Sequence, residues 1–186
     1  MKRLFAAIKI TPSENFLHLY YQLISSCKYD RINWVKPENI HITLKFFGET
    51  GNEQINQIDQ KFQFISKNHK PFTLNLQDVG IFGSSYKPKV IWFGIQDNIN
   101  LQKLATDILD KMEMIGFPKD RQNFVPHLTI GRIKFLDNKN QFSKKITSLK
   151  SRYIQDIYIS EFYLFESILG STGPTYNTIN KYNLGA

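Results

Sequence analysis

Cysteine is all but missing from this 186-residue chain, with Cys27 the one example. A lone thiol closes no internal disulfide and offers no Cys-x-x-Cys pair for zinc or thiol exchange, and its place at the end of a helical pattern reads as a small buried apolar group. Long apolar runs are missing too. No stretch approaches the roughly 18 apolar residues that a membrane-spanning helix needs. Met1-Lys2-Arg3 passes directly into a strand pattern rather than a secretory leader, so the expectation is a cytoplasmic protein with no membrane partner. Acidic side chains are in short supply, 16 Asp and Glu against 24 Lys and Arg, which favours a polyanionic partner through long-range attraction and counterion release. No linker or low-complexity run divides the chain. At 41% hydrophobic it can bury one good core, or two small lobes sharing an interface, and is too short for two ordinary independent domains.

What is present is a repeated phrase. Two of the four histidines head the same pattern, His41-Ile42-Thr43-Leu44 and His127-Leu128-Thr129-Ile130, 86 residues apart. In a strand, side chains alternate faces, so His41 shares a face with Thr43, and His127 with Thr129, while the aliphatic residues take the other side. Each phrase presents an imidazole beside a hydroxyl. Two such pairs facing one another supply two groups titrating near neutral pH and two donors for an anion held between them. A metal site is the competing reading of paired histidines. Neither histidine has Asp, Glu or Cys two or four residues away, and His-x-His and His-Glu-x-x-His spacings are both absent, so neither a metal nor any cofactor is expected.

The surrounding pattern predicts an α+β chain. Arg3 to Ile10 reads as a strand. Thr11-Pro12-Ser13-Glu14 reads as a capping box opening a helix with Phe16, Tyr20, Leu23, Ile24 and Cys27 on one face. Thr50-Gly51-Asn52-Glu53 repeats the device ahead of Ile55, Ile58, Phe62 and Ile65. Residues 72–76 and 90–95 read as strands, and 101–115 as a helix striped by Leu101, Leu104, Ala105, Ile108, Met112 and Ile115. A shorter helix is expected over 138–149, and strand over 154–165. The spacing of the two motifs, each accompanied by a helical segment, suggests an internal duplication within one domain spanning 1–186.

The residues around both motifs carry a family resemblance. Trp34-Val35-Lys36-Pro37-Glu38-Asn39-Ile40-His41-Ile42-Thr43-Leu44-Lys45-Phe46-Phe47-Gly48-Glu49 resembles the first signature of the two-histidine phosphoesterases, in particular the RNA 2',3'-cyclic phosphodiesterases once called 2'-5' RNA ligases. Phe124-Val125-Pro126-His127-Leu128-Thr129-Ile130-Gly131-Arg132 resembles the second. Arg3-Leu4-Phe5-Ala6-Ala7-Ile8, Pro88-Lys89-Val90-Ile91-Trp92, and Leu164-Phe165-Glu166-Ser167 with Gly173-Pro174-Thr175-Tyr176 are similar to the family's opening strand, middle strand and closing hairpin. The resemblance implies a bilobal α+β domain of two pseudo-symmetric antiparallel sheets with flanking helices and a central active cleft. It also implies metal-independent opening of RNA 2',3'-cyclic phosphate ends to 2'-phosphates, with His41 as proton donor, His127 as proton acceptor, and a weak reverse ligase activity. The residue chemistry alone leaves the acid and base assignments open.

Around these histidines, Thr43 and Thr129 are candidate donors to non-bridging phosphate oxygens, and Arg132 a candidate for the charge that builds on them. Strict alternation would turn Arg132 away from His127, but a bulge at Gly131 would turn it back. Lys45 shares the face of Thr43 by alternation and is a further candidate, as is Tyr176 in the closing hairpin. Trp34, Trp92 and Phe5 have ring faces suited to a base, with Trp92 read as core. Lys119, Arg121, Lys134, Lys87 and Lys89 add charge near the second motif, while His18 and His69 read as surface or structural. The partner expected is an RNA or oligonucleotide end, with no obligatory protein partner. Two other readings stay open: a non-catalytic RNA-binding module, and a two-histidine enzyme for another ester such as a 2'-5' oligonucleotide or a small cyclic nucleotide.

Overall fold

The computed structural model describes residues 1–84, 86–119, 124–171 and 173–185. Arg121 lies outside them. Nine strands and four helices are found among the described residues. In chain order they are β1 (Lys2–Lys9), α1 (Glu14–Ser26), β2 (Arg31–Trp34), a 3-10 turn at Pro37–Asn39, β3 (His41–Thr50), α2 (Asn52–Lys67), β4 (Phe72–Gly83), β5 (Pro88–Ile95), α3 (Ile99–Glu113), β6 (His127–Phe135), α4 (Lys139–Thr147), β7 (Tyr153–Ile159), β8 (Glu161–Gly170) and β9 (Gly173–Asn183).

Two antiparallel sheets result, ordered β3-β1-β8-β9 and β2-β6-β5-β4-β7. The orders β3-β1-β8-β9 and β6-β5-β4-β7 correspond position by position, with β2 added at one edge. Each sheet holds one histidine motif. The lobes are not successive along the chain, because β4 follows the first motif yet enters the second sheet, while β8 and β9 follow the second motif yet complete the first. One apolar core accordingly takes residues from all four helices and both sheets.

The helices form where the apolar spacing says they should. Phe16, Leu19, Tyr20 and Leu23 are buried from α1, and Leu101, Leu104, Ala105, Ile108 and Met112 from α3, spacings that place each set on one helical face. The starts differ from the sequence expectation. Ser13, not Thr11, caps α1, its Oγ accepting the Phe16 N–H at 3.2 Å. Thr11 is instead used through its carbonyl, which accepts from Gln155 Nε2 at 3.2 Å, while Gln155 Oε1 takes the Ser13 N–H at 2.8 Å. The opening of α1 is thereby pinned to β7 in the opposite sheet. In α2 the cap is Gly51, whose N–H donates to Gln54 Oε1 at 3.2 Å; Thr50 is still strand, buried, with its hydroxyl donating to Gly48 O at 3.0 Å. β2 was not anticipated, since four residues are too few to show a period.

Lys45 corrects the alternation argument. Between β1 and β3, Ala7 pairs with Thr43 and Ala6 with Lys45, so Leu44 is an extra residue. The bulge turns Leu44 and Lys45 together to the core side and returns Phe46 to the side of His41 and Thr43. Lys45 is 3% exposed and its Nζ donates to Pro118 O at 2.6 Å. It is an internal tie to the chain beyond α3, not a contact for phosphate. Lys45→Ala should lower unfolding free energy by about 1–3 kcal/mol, the usual scale for orphaning a buried carbonyl and losing its partner. Urea titration of the variant against wild type measures the loss, and an unchanged midpoint would show the tie to be inconsequential.

Candidate active site

The second motif repeats the bulge of the first. Along β5 and β6, Trp92 pairs with Thr129 and Ile91 with Gly131, leaving Ile130 extra. Arg132, five residues after His127, is turned to the cleft, as Phe46 is five residues after His41. The glycine between has its own reason: a Cβ at Gly131 would lie 3.0 Å from Ile32 Cγ2 and 3.1 Å from Trp34 Cε3. Bulge and close approach thus occur together at this point.

β3 and β6 approach one another, and the cleft between the lobes has a volume of about 780 Å³, within the range of small-molecule sites. His41, Thr43, His127, Thr129, Arg132 and Tyr176 all line it. Five of the proposed site residues from the two motifs, plus the hairpin tyrosine, therefore meet in one place.

Both imidazoles are held alike. His41 Nδ1 lies 2.7 Å from Asn39 O, and His127 Nδ1 lies 2.7 Å from Val125 O. A carbonyl only accepts, so each Nδ1 carries a proton and donates it, and Nε2 is the nitrogen left for a ligand. Aromatic walls fix the ring planes. Phe5 lies 5.0 Å and Tyr176 5.3 Å from the His41 ring, and Phe82 lies 4.6 Å from the His127 ring, edge to face.

Electrostatics favour the neutral imidazoles in the empty cleft. Burial pushes His41 below its ordinary value, the Asn39 carbonyl offsets part of that, and the charges of Arg132 and His127 lower it further. His127 is lowered by burial and by Arg132 against the lift from Val125 O. Tyr176 is raised by burial, so it is a neutral hydroxyl at the cleft wall.

Charge in the cleft comes mainly from residues that sequence reasoning passed over. Arg3 and Lys36 line it with Arg132, and no carboxylate stands among the described lining residues. Asn33, Asn39 and Phe46 line it too. Arg3 and Phe46 lay within the quoted signatures, but only the register of β1 against β3 shows which way they face. Lys119, expected near the second histidine, instead pairs with Asp110 at 2.5 Å and Glu113 at 3.5 Å on α3. Lys87, Lys89 and Lys134 are exposed and not among the lining residues. Phe5 and Trp34 do reach the cleft, whereas Trp92 is half-buried over Gly80, where an added Cβ would fall 2.2 Å from its ring. His69 Nε2 meets Asp107 Oδ2 at 3.1 Å and His18 is exposed. Cys27 is buried, its thiol pushed up to about 11 by burial, so it is no nucleophile at neutral pH.

The fold and paired histidines define a class, and comparison with known proteins supplies its name. The family described as LigT like Phosphoesterase matches residues 8–92 and again 94–176, one histidine motif in each segment. An RNA 2',3'-cyclic phosphodiesterase of Methanocaldococcus jannaschii is 34% identical over 180 residues, 97% of this chain and 99% of that protein. One from Aquifex aeolicus is 33% identical over 156 residues, 82% of this chain and 81% of that protein. Among solved structures, E. coli LigT complexed with 3'-AMP superposes with a TM-score of 0.77 at 22% identity, covering 98% of each chain. The chain belongs to the LigT-like, two-histidine phosphoesterases. No helix of the described residues is long and apolar enough to cross a membrane.

Because both imidazoles sit below the ordinary 6.5, both are neutral at pH 7 in the free protein, and an anion bound between them should raise both. Imidazole resonances followed by NMR titration should show two transitions below 6.5 that move upward in inorganic phosphate. The linkage sign follows: protons bind the unfolded chain first, so the stability these groups contribute is present above 6.5 and declines as pH falls through the folded values. Titration of either histidine above 6.5 without phosphate would contradict the burial argument.

Proposed function

We propose that this protein is an RNA 2',3'-cyclic phosphodiesterase that opens the cyclic phosphate to a 2'-phosphate end by metal-independent acid-base catalysis. The observation that carries the reading is the matched pair of Nδ1-to-carbonyl bonds, which leave two Nε2 atoms to serve one cleft. Binding alone has no need of two imidazoles tied in one tautomer. The curated relatives named as RNA 2',3'-cyclic phosphodiesterases support the substrate class.

In this reading His127 Nε2 takes a proton from water as its oxygen bonds to phosphorus. The bond from phosphorus to the ribose 3' oxygen breaks, and His41 Nε2 delivers its proton to that oxygen. Thr43 and Thr129 donate to the non-bridging oxygens, and Arg132 holds the charge that accumulates there. With an RNA 5'-hydroxyl in place of water, the same steps form a 2'-5' linkage, which is the ligase reaction. Cationic Arg3, Lys36 and Arg132 without a lining carboxylate suit a phosphate and repel a divalent cation.

Incubation with a cyclic-phosphate oligonucleotide in EDTA should yield the 2'-phosphate product at the rate seen without chelator. Collapse in EDTA with rescue by zinc or manganese would move the reaction to a metal-bound water. His41→Ala and His127→Ala should each cost about a hundredfold or more in turnover, and Thr43→Val and Thr129→Val less. The pH profile of kcat/KM reports the free enzyme. Activity rises as the base deprotonates and falls as the acid does, and both values are lowered, so its maximum should lie below 6.5. A maximum well above that would assign the limbs to other groups.

A further inference from the structure

Resting on that phosphodiesterase reading, we propose that the open face of the second lobe beyond Arg132, made by Arg31, Lys134 and Phe135, is the track for the single-stranded RNA leading to the cyclic phosphate. A third bulge builds it. Between β2 and β6, Arg31 pairs with Phe135 and Ile32 with Ile133, leaving Lys134 extra. Ile133 packs against the core, so Lys134 and Phe135 are turned together to the face of Arg132, and Arg31, opposite Phe135, shares it. Arg31, Arg132, Lys134 and Phe135 are all exposed.

This face continues the cleft. Asn33 pairs with Arg132 and lines the cleft beside it, and Arg31 and Lys134 follow outward on the same two strands. Three residues of strand carry β6 about 10 Å from Arg132 to Phe135, a length that serves the nucleotide before the terminal one. Neither β2 nor β6 contains an acidic residue. Asp30 and Asp137 come only past the far end, where the Asp30 carboxylate accepts the Asp137 N–H at 2.8 Å. The matching end of the first lobe is balanced instead, with Arg3 opposite Glu49 and Lys2 paired to Glu166 at 3.0 Å. Uncompensated positive charge therefore leaves the cleft along the second lobe, the complement of a phosphodiester backbone. Phe135 adds a surface for bases. It is 54% exposed while Leu136 beside it is buried, and an aromatic ring left in water among cations is the arrangement that holds single strands with little selection of sequence.

The test compares adenosine 2',3'-cyclic phosphate with a pentanucleotide ending in the same group. Wild type should prefer the pentanucleotide. In the Arg31→Gln/Lys134→Gln double variant that preference should shrink through KM, and kcat/KM on the pentanucleotide should fall less steeply with salt, the logarithmic slope easing by about 0.7 for each cation removed. Phe135→Leu should lower the preference roughly tenfold, the scale of losing one stacked base, with the salt slope unchanged. Neither variant should alter turnover of the mononucleotide. Equal losses on both substrates would reduce these residues to packing and overturn the proposal, as would an unchanged salt slope in the double variant. A wild type indifferent to chain length would also overturn it, leaving the face to some other polyanion. Turnover of neither substrate by wild type would defeat the phosphodiesterase reading itself, a result distinguishable because it precedes any variant.

Discussion

Two hydrogen bonds of 2.7 Å, from His41 Nδ1 to Asn39 O and from His127 Nδ1 to Val125 O, determine what the cleft can do. Each acceptor lies two residues before its histidine, where the chain enters the strand, so the bond is set by local backbone and survives movement elsewhere. With Nδ1 committed, the imidazole can exchange a proton only at Nε2. The Asn39 side chain adds a second restraint, its Nδ2 donating to Pro174 O at 3.0 Å in the β8–β9 hairpin that carries Tyr176. Thus the residue that orients His41 from behind is itself tied to the element that walls it in front.

Placing two such histidines opposite one another is a property of the whole fold. β4 and the β8–β9 pair lie in the sheet that holds the other motif, and α1 is pinned to β7 across the lobes through Gln155 and through Asn15, whose Nδ2 donates to Ile154 O at 2.7 Å. Neither sheet is complete without strands from both halves of the chain. The lobes share one core rather than meeting at a surface, and close packing permits few alternative arrangements. Cleft width is therefore coupled to core packing, which suits a reaction needing donor and acceptor at fixed separation.

The motifs, the helical stripes and the α+β class were legible because they depend on periods of two and 3.6 residues and on a repeated phrase. The family resemblance supplied the pairing of the lobes, which no local pattern contains. Helix starts lie one or two residues beyond Thr11 and Thr50, because Gln155 of β7 engages Ser13 at the first, while pairing with Lys2 keeps Thr50 in β3 and leaves Gly51 to cap α2 with its own Gln54. Lys45 and Arg132 show the limit most clearly. The same bulge operates in both motifs, yet only Gly131 marked it; at Leu44 the sequence carries no glycine, so alternation placed Lys45 in the cleft and passed over Phe46. Arg3 was missed similarly, since its direction depends on how β1 registers with β3.

The positive cleft creates a difficulty that its ligand resolves. Arg132 and burial hold both imidazoles neutral, yet the proposed acid-base reaction asks one of them to carry a proton to the departing oxygen. A phosphate entering between them brings negative charge into a site of reduced dielectric, where it offsets Arg132 and favours an imidazolium. The proton-loaded state is thus disfavoured in the empty cleft and becomes accessible when substrate binds. Only one such proton is needed, and repulsion between two imidazolium rings opposes a second, so the pair titrates as a unit with a singly protonated form between its two steps. That form is symmetric in charge but not in surroundings, because His41 is the more enclosed ring, flanked by Phe5 and Tyr176. Phosphate position relative to Arg132 then decides which ring holds the proton.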